Sequence, residues 1–154
     1  MSNTRDTSRT SQPVRAAATA VGAVFVLVGI LGFVPGITSN FDQLSFAGHH
    51  SEAELLGIFQ VSVLHNIVHL LFGVAGLAMA RDARSATAYL VGGGVIYLVL
   101  WLYGLVIDQE SAANFVPLNT ADNWLHLVLA VGMVGAGVLC QRQLRGGVGS
   151  QTPM

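Results

Sequence analysis

Four stretches of this 154-residue chain, 16–34, 55–80, 85–107 and 123–140, contain no Asp, Glu, Lys or Arg. A hydrocarbon core about 30 Å thick is crossed by about 20 apolar residues in a helix. All four stretches are long enough, the last narrowly. Inside lipid the backbone must satisfy its own hydrogen bonds, so each stretch is read as a helix. Only 10% of the residues are charged, against about 25% in soluble domains. This composition excludes a disordered chain and argues against a water-soluble globule. The net charge of −1 leaves no basic footprint for nucleic acid. Cys140 is the single cysteine, which excludes an intrachain disulfide and a cysteine-based zinc site. No Walker loop, Gly-x-Gly-x-x-Gly or Gly-x-Ser-x-Gly occurs, so nucleotide and acyl-transfer chemistry have no signature.

Charge placement gives the topology. All seven basic residues are arginine: Arg5, Arg9 and Arg15 before the first stretch, Arg81 and Arg84 between the second and third, Arg142 and Arg145 after the fourth. The intervening segments hold Asp42, Glu52, Glu54, Asp108, Glu110 and Asp122 and no arginine. Under the positive-inside rule this partition places both termini in the cytoplasm and the two acidic loops outside. The expected location is the plasma membrane, multi-pass. The first stretch is longer than a signal-peptide core and Phe33-Val34-Pro35-Gly36 follows it instead of a small-residue cleavage site, so it is read as an uncleaved span. Residues 1–15 and 141–154 are read as polar cytoplasmic tails, the first disordered.

Local signals suggest where helices begin. Ser51-Glu52-Ala53-Glu54 has the form of a capping box, which predicts a second helix running from there to Ala80. Asn119-Thr120-Ala121-Asp122 offers N-cap chemistry to the fourth. A weak repeat is also present. Asn66-Ile67-Val68-His69-Leu70 echoes Asn123-Trp124-Leu125-His126-Leu127, and Phe33-Val34-Pro35 echoes Phe115-Val116-Pro117. The predicted fold is therefore all-α, a four-helix transmembrane bundle, with two tandem helix pairs as its possible internal plan.

The strongest polar groups inside these stretches are histidine and asparagine. His65 and His69 stand at i and i+4 on one face of the second helix, with Ser62, Asn66, Gly73 and Gly76. Asn123, His126, Ala130, Met133 and Gly137 form a similar stripe on the fourth. Polar groups avoid lipid, so both stripes should face the bundle interior. Depth pairs His126 with His65, whereas the repeated motif pairs it with His69, and the sequence leaves this open. Tyr97, Trp101, Gly104 and Asp108 share a face of the third helix that could border the same space. His49-His50 with Glu52 and Glu54 reads as a solvated loop, with a divalent metal as the alternative.

Two stretches carry a resemblance: 55–60 through His65-Asn66-Ile67-Val68-His69-Leu70-Leu71-Phe72-Gly73, and Leu100-Trp101-Leu102-Tyr103-Gly104 with 114–126. Over residues 16–140 the chain resembles an uncharacterised family, a domain of unknown function, of small four-span membrane proteins from high-GC Gram-positive bacteria. The resemblance implies a polytopic membrane protein and assigns no catalytic residue.

The loops are too small for a soluble catalytic site. The expected function is non-enzymatic: an accessory, packing or small-ligand-binding membrane protein with a buried cluster of His65, His69 and His126. Asn66 and Asn123 are expected to orient the histidine nitrogens. No cofactor is expected on this reading. The alternative is a redox protein holding haem b or a transition metal between helices two and four. A third reading is an oligomeric transporter or channel component. Expected partners are the lipid bilayer and a homo-oligomer or larger membrane complex, with no nucleic acid. A phosphatase fused at Gln43 should be active and one fused at Arg84 inactive; the opposite result would invert the topology.

Overall fold

A computed structural model describes the backbone of residues 3–149 and the side chains of residues 12–142. Four helices run antiparallel in chain order: α1 (Asn3–Leu31), α2 (Val63–Met79), α3 (Ala83–Val106) and α4 (Thr120–Gly149). The segments Gln12–Leu31, Ala83–Val106 and Thr120–Arg142 are long and apolar enough to cross a membrane, and α2 is a shorter apolar helix. The fold is thus mostly helical and compatible with a multi-pass membrane protein. Helix α1 starts inside the segment read as a disordered tail, with Pro13 within it, and α4 continues beyond Arg142. Extending a helix already nucleated by an apolar span is far less costly than starting one. The tail residues 1–2 and 150–154 lie outside the described residues.

Helix α2 departs from the sequence-based expectation. It starts at Val63, and its N-cap is Ser62, whose hydroxyl accepts from the His65 N–H. Ser51 caps nothing helical: its Oγ donates to the Val61 carbonyl at 2.6 Å and accepts from the Ser45 N–H. Residues 54–60 form a hairpin of β2 (Glu54–Leu55) and β3 (Phe59–Gln60). A further short strand, β1 (Thr38–Ser39), pairs antiparallel with β2. Leu56 and Gly57 both have positive φ, 57° and 68°. Two successive left-handed residues turn the chain back and exclude a helix there. At 17 residues α2 is about 25 Å long, some 5 Å less than the hydrocarbon thickness. The hairpin completes the height. Ala53, Leu55 and Val61 are buried in a small second core against Val28, Leu31 and Ile37.

The two helix pairs of the repeat are real structural units. Helix α1 packs chiefly on α2, and α3 chiefly on α4. Both contacts depend on glycine. A Cβ at Gly73 would stand 2.6 Å from Val26 N and 2.7 Å from Gly22 O, so α1 and α2 touch backbone to backbone. A Cβ at Gly94 would stand 3.0 Å from Ala130 O and Val134 N of α4. Small residues that permit such approach are the usual basis of helix association in membranes. Between the pairs, aromatic side chains interdigitate. Phe25 stacks on Tyr97 at 5.4 Å and meets Phe72 edge-on at 5.0 Å, while Phe72 also meets Tyr89 at 5.0 Å.

The turn between the pairs is only Ala80–Asp82. Arg15 Nε donates to the Ala80 carbonyl at 3.0 Å, satisfying an end of α2 with a cation. Asp82 caps α3 by accepting from the Ser85 N–H at 2.9 Å. That hydrogen bond holds the Asp82 carboxyl below its ordinary range. At the opposite end of the bundle the two acidic loops interlock. Gly48 N–H donates to the Phe115 carbonyl, and Asn119 Nδ2 donates to the Ile58 carbonyl.

Gly73→Leu should force α1 and α2 apart and lower the stability of the detergent-solubilised protein by about 1–3 kcal/mol or more. Gly132→Ala, where nothing lies within 4 Å, should be neutral or stabilising by about 0.5–1 kcal/mol. Denaturation of both variants in one detergent checks the contrast.

Candidate functional site

The structure brings all three candidate histidines to one cavity of about 130 Å³ in the half of the bundle nearest the acidic loops. Helix α2 contributes His65, Val68 and His69; α3 contributes Tyr97, Leu100 and Tyr103; α4 contributes His126. The loop 115–118 closes the space from above. The i, i+4 spacing stacks the His65 and His69 rings edge to face at 4.4 Å. The His126 ring meets Tyr97 at 5.2 Å, and His69 meets Phe25 at 5.5 Å. Beneath the histidines the bundle centre is filled by Phe25, Phe72, Tyr89, Tyr97 and Met133.

The polar atoms of the site are unevenly satisfied. His65 Nδ1 donates to the Gln60 carbonyl at 3.1 Å, which fixes that ring. His69 Nδ1 and His126 Nδ1 are buried and make no hydrogen bond. A buried polar group in that condition costs about 1–3 kcal/mol. No lining residue bears a carboxylate or a guanidinium. The cavity is therefore an apolar chamber with three imidazole rings set into its wall.

Asn66 and Asn123 do not take the expected place beside the histidine nitrogens. Both amide atoms of Asn66 and the Oδ1 of Asn123 are buried without a partner. Instead each asparagine lies over a glycine at or just past the end of the preceding helix. A Cβ at Gly32, the residue after α1, would collide with the Asn66 amide, and a Cβ at Gly104 of α3 would collide with the Asn123 amide. The same seat thus occurs once in each helix pair. It makes His126 the structural counterpart of His69, three helical positions from an equivalent landmark, and leaves His65 without a counterpart.

The reciprocal cap read at the start of α4 is present. Asn119 Oδ1 accepts from the Asp122 N–H, and Asp122 Oδ2 accepts from the Asn119 N–H, both at 3.0 Å. Asp122 Oδ2 also accepts from the Gln60 N–H at 3.0 Å. Gln60 in turn carries His65 through its carbonyl. One buried carboxylate therefore joins the hairpin, α4 and the histidine wall. Asn114 was not evident as a site residue in the sequence. Its Nδ2 donates to the Gln109 and Leu118 carbonyls, and its Oδ1 accepts from the Leu118 N–H. It folds the loop that covers the cavity. Its signal was a lone asparagine beside Phe115-Val116-Pro117, and such a residue is ordinarily a turn former.

Among the described residues no three His, Cys, Asp or Glu side chains converge to hold a metal ion. This includes His49 and His50, whose rings lie tilted to each other at 3.9 Å. Trp101, on the same helix face as Tyr97, does not line the cavity, and Gly104 faces Asn123.

This arrangement places an apolar, histidine-walled chamber inside a protein whose helices suit membrane crossing. The chain belongs to the family described as a domain of unknown function, DUF4383, which matches residues 15–139. No curated protein and no solved structure matches the chain.

Asp122→Ala removes the acceptor for two backbone N–H groups and should destabilise the protein by about 2–3 kcal/mol. Asp122→Asn should recover part of the loss. Thermal unfolding in detergent, followed by circular dichroism, measures both.

Proposed function

We propose that this protein is a non-enzymatic integral membrane protein of the plasma membrane that binds a small uncharged ligand in its histidine-walled cavity. The observation that carries the reading is the convergence of three histidine rings, His65, His69 and His126, on one cavity with no charged side chain in its lining. Unlike the unpartnered Asn66 and Asn123, which pack against glycines, these rings border open space. A neutral imidazole is a donor at one ring nitrogen and an acceptor at the other. A hydroxyl group is both, so it serves either tautomer. The volume of about 130 Å³ is close to that of the roughly 150 Å³ engineered cavity that holds benzene. It suits a ring or a short branched group bearing one hydroxyl.

The same size argues against the haem reading, because drug-sized ligands already need about 300 Å³ or more and a porphyrin is larger than most of them. The absence of a converging three-ligand group among the described residues argues against a transition metal. The filled bundle centre beneath the histidines argues for a closed-ended site in the single chain over a conducting path. The arginine partition supports cytoplasmic termini, which puts the cavity in the outer half of the membrane.

Phenol is a suitable probe. It should raise the melting temperature of the purified protein in a saturable way, and His126→Leu should abolish that rise. In the absence of phenol, His126→Leu should be as stable as the parent or more stable, because it replaces an unsatisfied polar group by an apolar one of similar volume. Clear destabilisation by His126→Leu, with no response of the parent to phenol, would assign the histidines to packing. A Soret band in the purified protein would overturn the proposal in favour of haem.

A further inference from the structure

We infer that the cavity is filled sideways from the bilayer, through a gap between α2 and α3, so that its ligand is a lipid-resident molecule with a hydroxyl-bearing head and an apolar tail. This rests on the ligand-binding reading above and adds the route and the chemical class. Among the helix residues that line the cavity one is also a surface residue: Val68 of α2 is 43% exposed. A cavity wall that is simultaneously outer surface marks a mouth. Val68 stands five residues into α2, about 7–8 Å below the outer end of that helix. The mouth therefore opens on the side of the bundle, below its top.

The surroundings of the mouth are those of a lipid-facing wall. Leu71 and Val74 continue the exposed face of α2, and Val99 and Leu102 the exposed face of α3. Helices α2 and α3 make few contacts with each other, in contrast to the tight glycine contacts within each pair. A seam between them is thus the natural place for an opening.

The alternative entrance, from water through the loops, is built over by residues 115–118, of which only Phe115 is exposed. Pro117 and Leu118 are buried above the histidines. Asn114 pins this segment with three hydrogen bonds to backbone groups, and the Phe115 carbonyl accepts from the Gly48 N–H of the other loop at 2.7 Å. A solute arriving from water would also leave charged loops for a lining without one charged side chain. A solute already dissolved among acyl chains meets no such barrier. Its head would reach His69 and His126, and its tail would remain between α2 and α3 in lipid.

The experiment uses the full chain in phosphatidylcholine vesicles with two probes, phenol and 4-octylphenol, and two variants on the outer face of α2. Side chains on a helix lean toward its N-terminus, so the indole of Val68→Trp would lie over the upper part of the mouth. Val74→Trp, six residues deeper and outside the cavity lining, is the control. Both positions are exposed and apolar, so both variants should fold. Val68→Trp should weaken 4-octylphenol binding about tenfold or more, and Val74→Trp should leave it unchanged. Phenol, which has no tail to accommodate, should lose much less in Val68→Trp. If 4-octylphenol binds the parent and Val68→Trp equally, the lateral route is overturned while the ligand site stands. If phenol binds and 4-octylphenol does not, the tailed ligand class is overturned. If neither binds the parent, the ligand site and the route fall together.

Discussion

The contact between Gly73 and the backbone of α1 at Gly22 and Val26 sets the rest of the structure. In lipid there is no hydrophobic force to draw helices together, so they associate where they fit closely. Without side chains between them, α1 and α2 approach to backbone distance, and Gly94 does the same for α3 and α4. Each pair becomes a stiff ribbon. What remains between the ribbons has to be filled by side chains. Phe25, Phe72, Tyr89 and Tyr97 fill it in the middle. Nearer the acidic loops the filling stops short, and the three histidines line the space that is left.

The length of α2 is the second determinant. A helix of 17 residues does not match a bilayer of ordinary thickness, and non-helical chain at membrane depth is tolerated only when its backbone groups are paired. The hairpin meets that condition through specific bonds. Leu56 N–H donates to Ile37, Gly57 N–H to Glu54, Ile58 N–H to Leu55 and Val61 N–H to Ala53. Gln60 N–H donates to Asp122. The hairpin is consequently a well-bonded part of the fold, and its exposed residues Leu56 and Ile58 are apolar.

Much of this was legible in the sequence because membrane spans leave a coarse signal. Uncharged length located the four helices, and the Asn-x-x-His echo located the two pairs. The cluster of His65, His69 and His126 followed from the cost of turning polar groups to lipid. Three things were hidden. Ser51-Glu52-Ala53-Glu54 has the letters of a capping box, but Leu56 and Gly57 break the helix it would start, and a left-handed leucine has no sequence signal. Asn66 and Asn123 pack against Gly32, just past α1, and Gly104 of α3, and a glycine advertises close approach without saying to what. The roof depends on Asn114, whose bonds are all to nearby backbone and so leave no pattern at a distance.

The turn Ala80–Asp82 is the only covalent tie between the two helix pairs, and it lies at the far end of the bundle from the histidines. Within each pair the helices are locked by backbone contact, whereas between pairs they meet through aromatic rings in the middle. The molecule is therefore built like a clasp fastened at both ends. At one end is the short covalent turn near the arginines, and at the other the bonds of Gln60 N–H to Asp122, Gly48 N–H to Phe115 and Asn119 Nδ2 to Ile58. A change of volume in the cavity would load those three bonds before it altered the helices themselves.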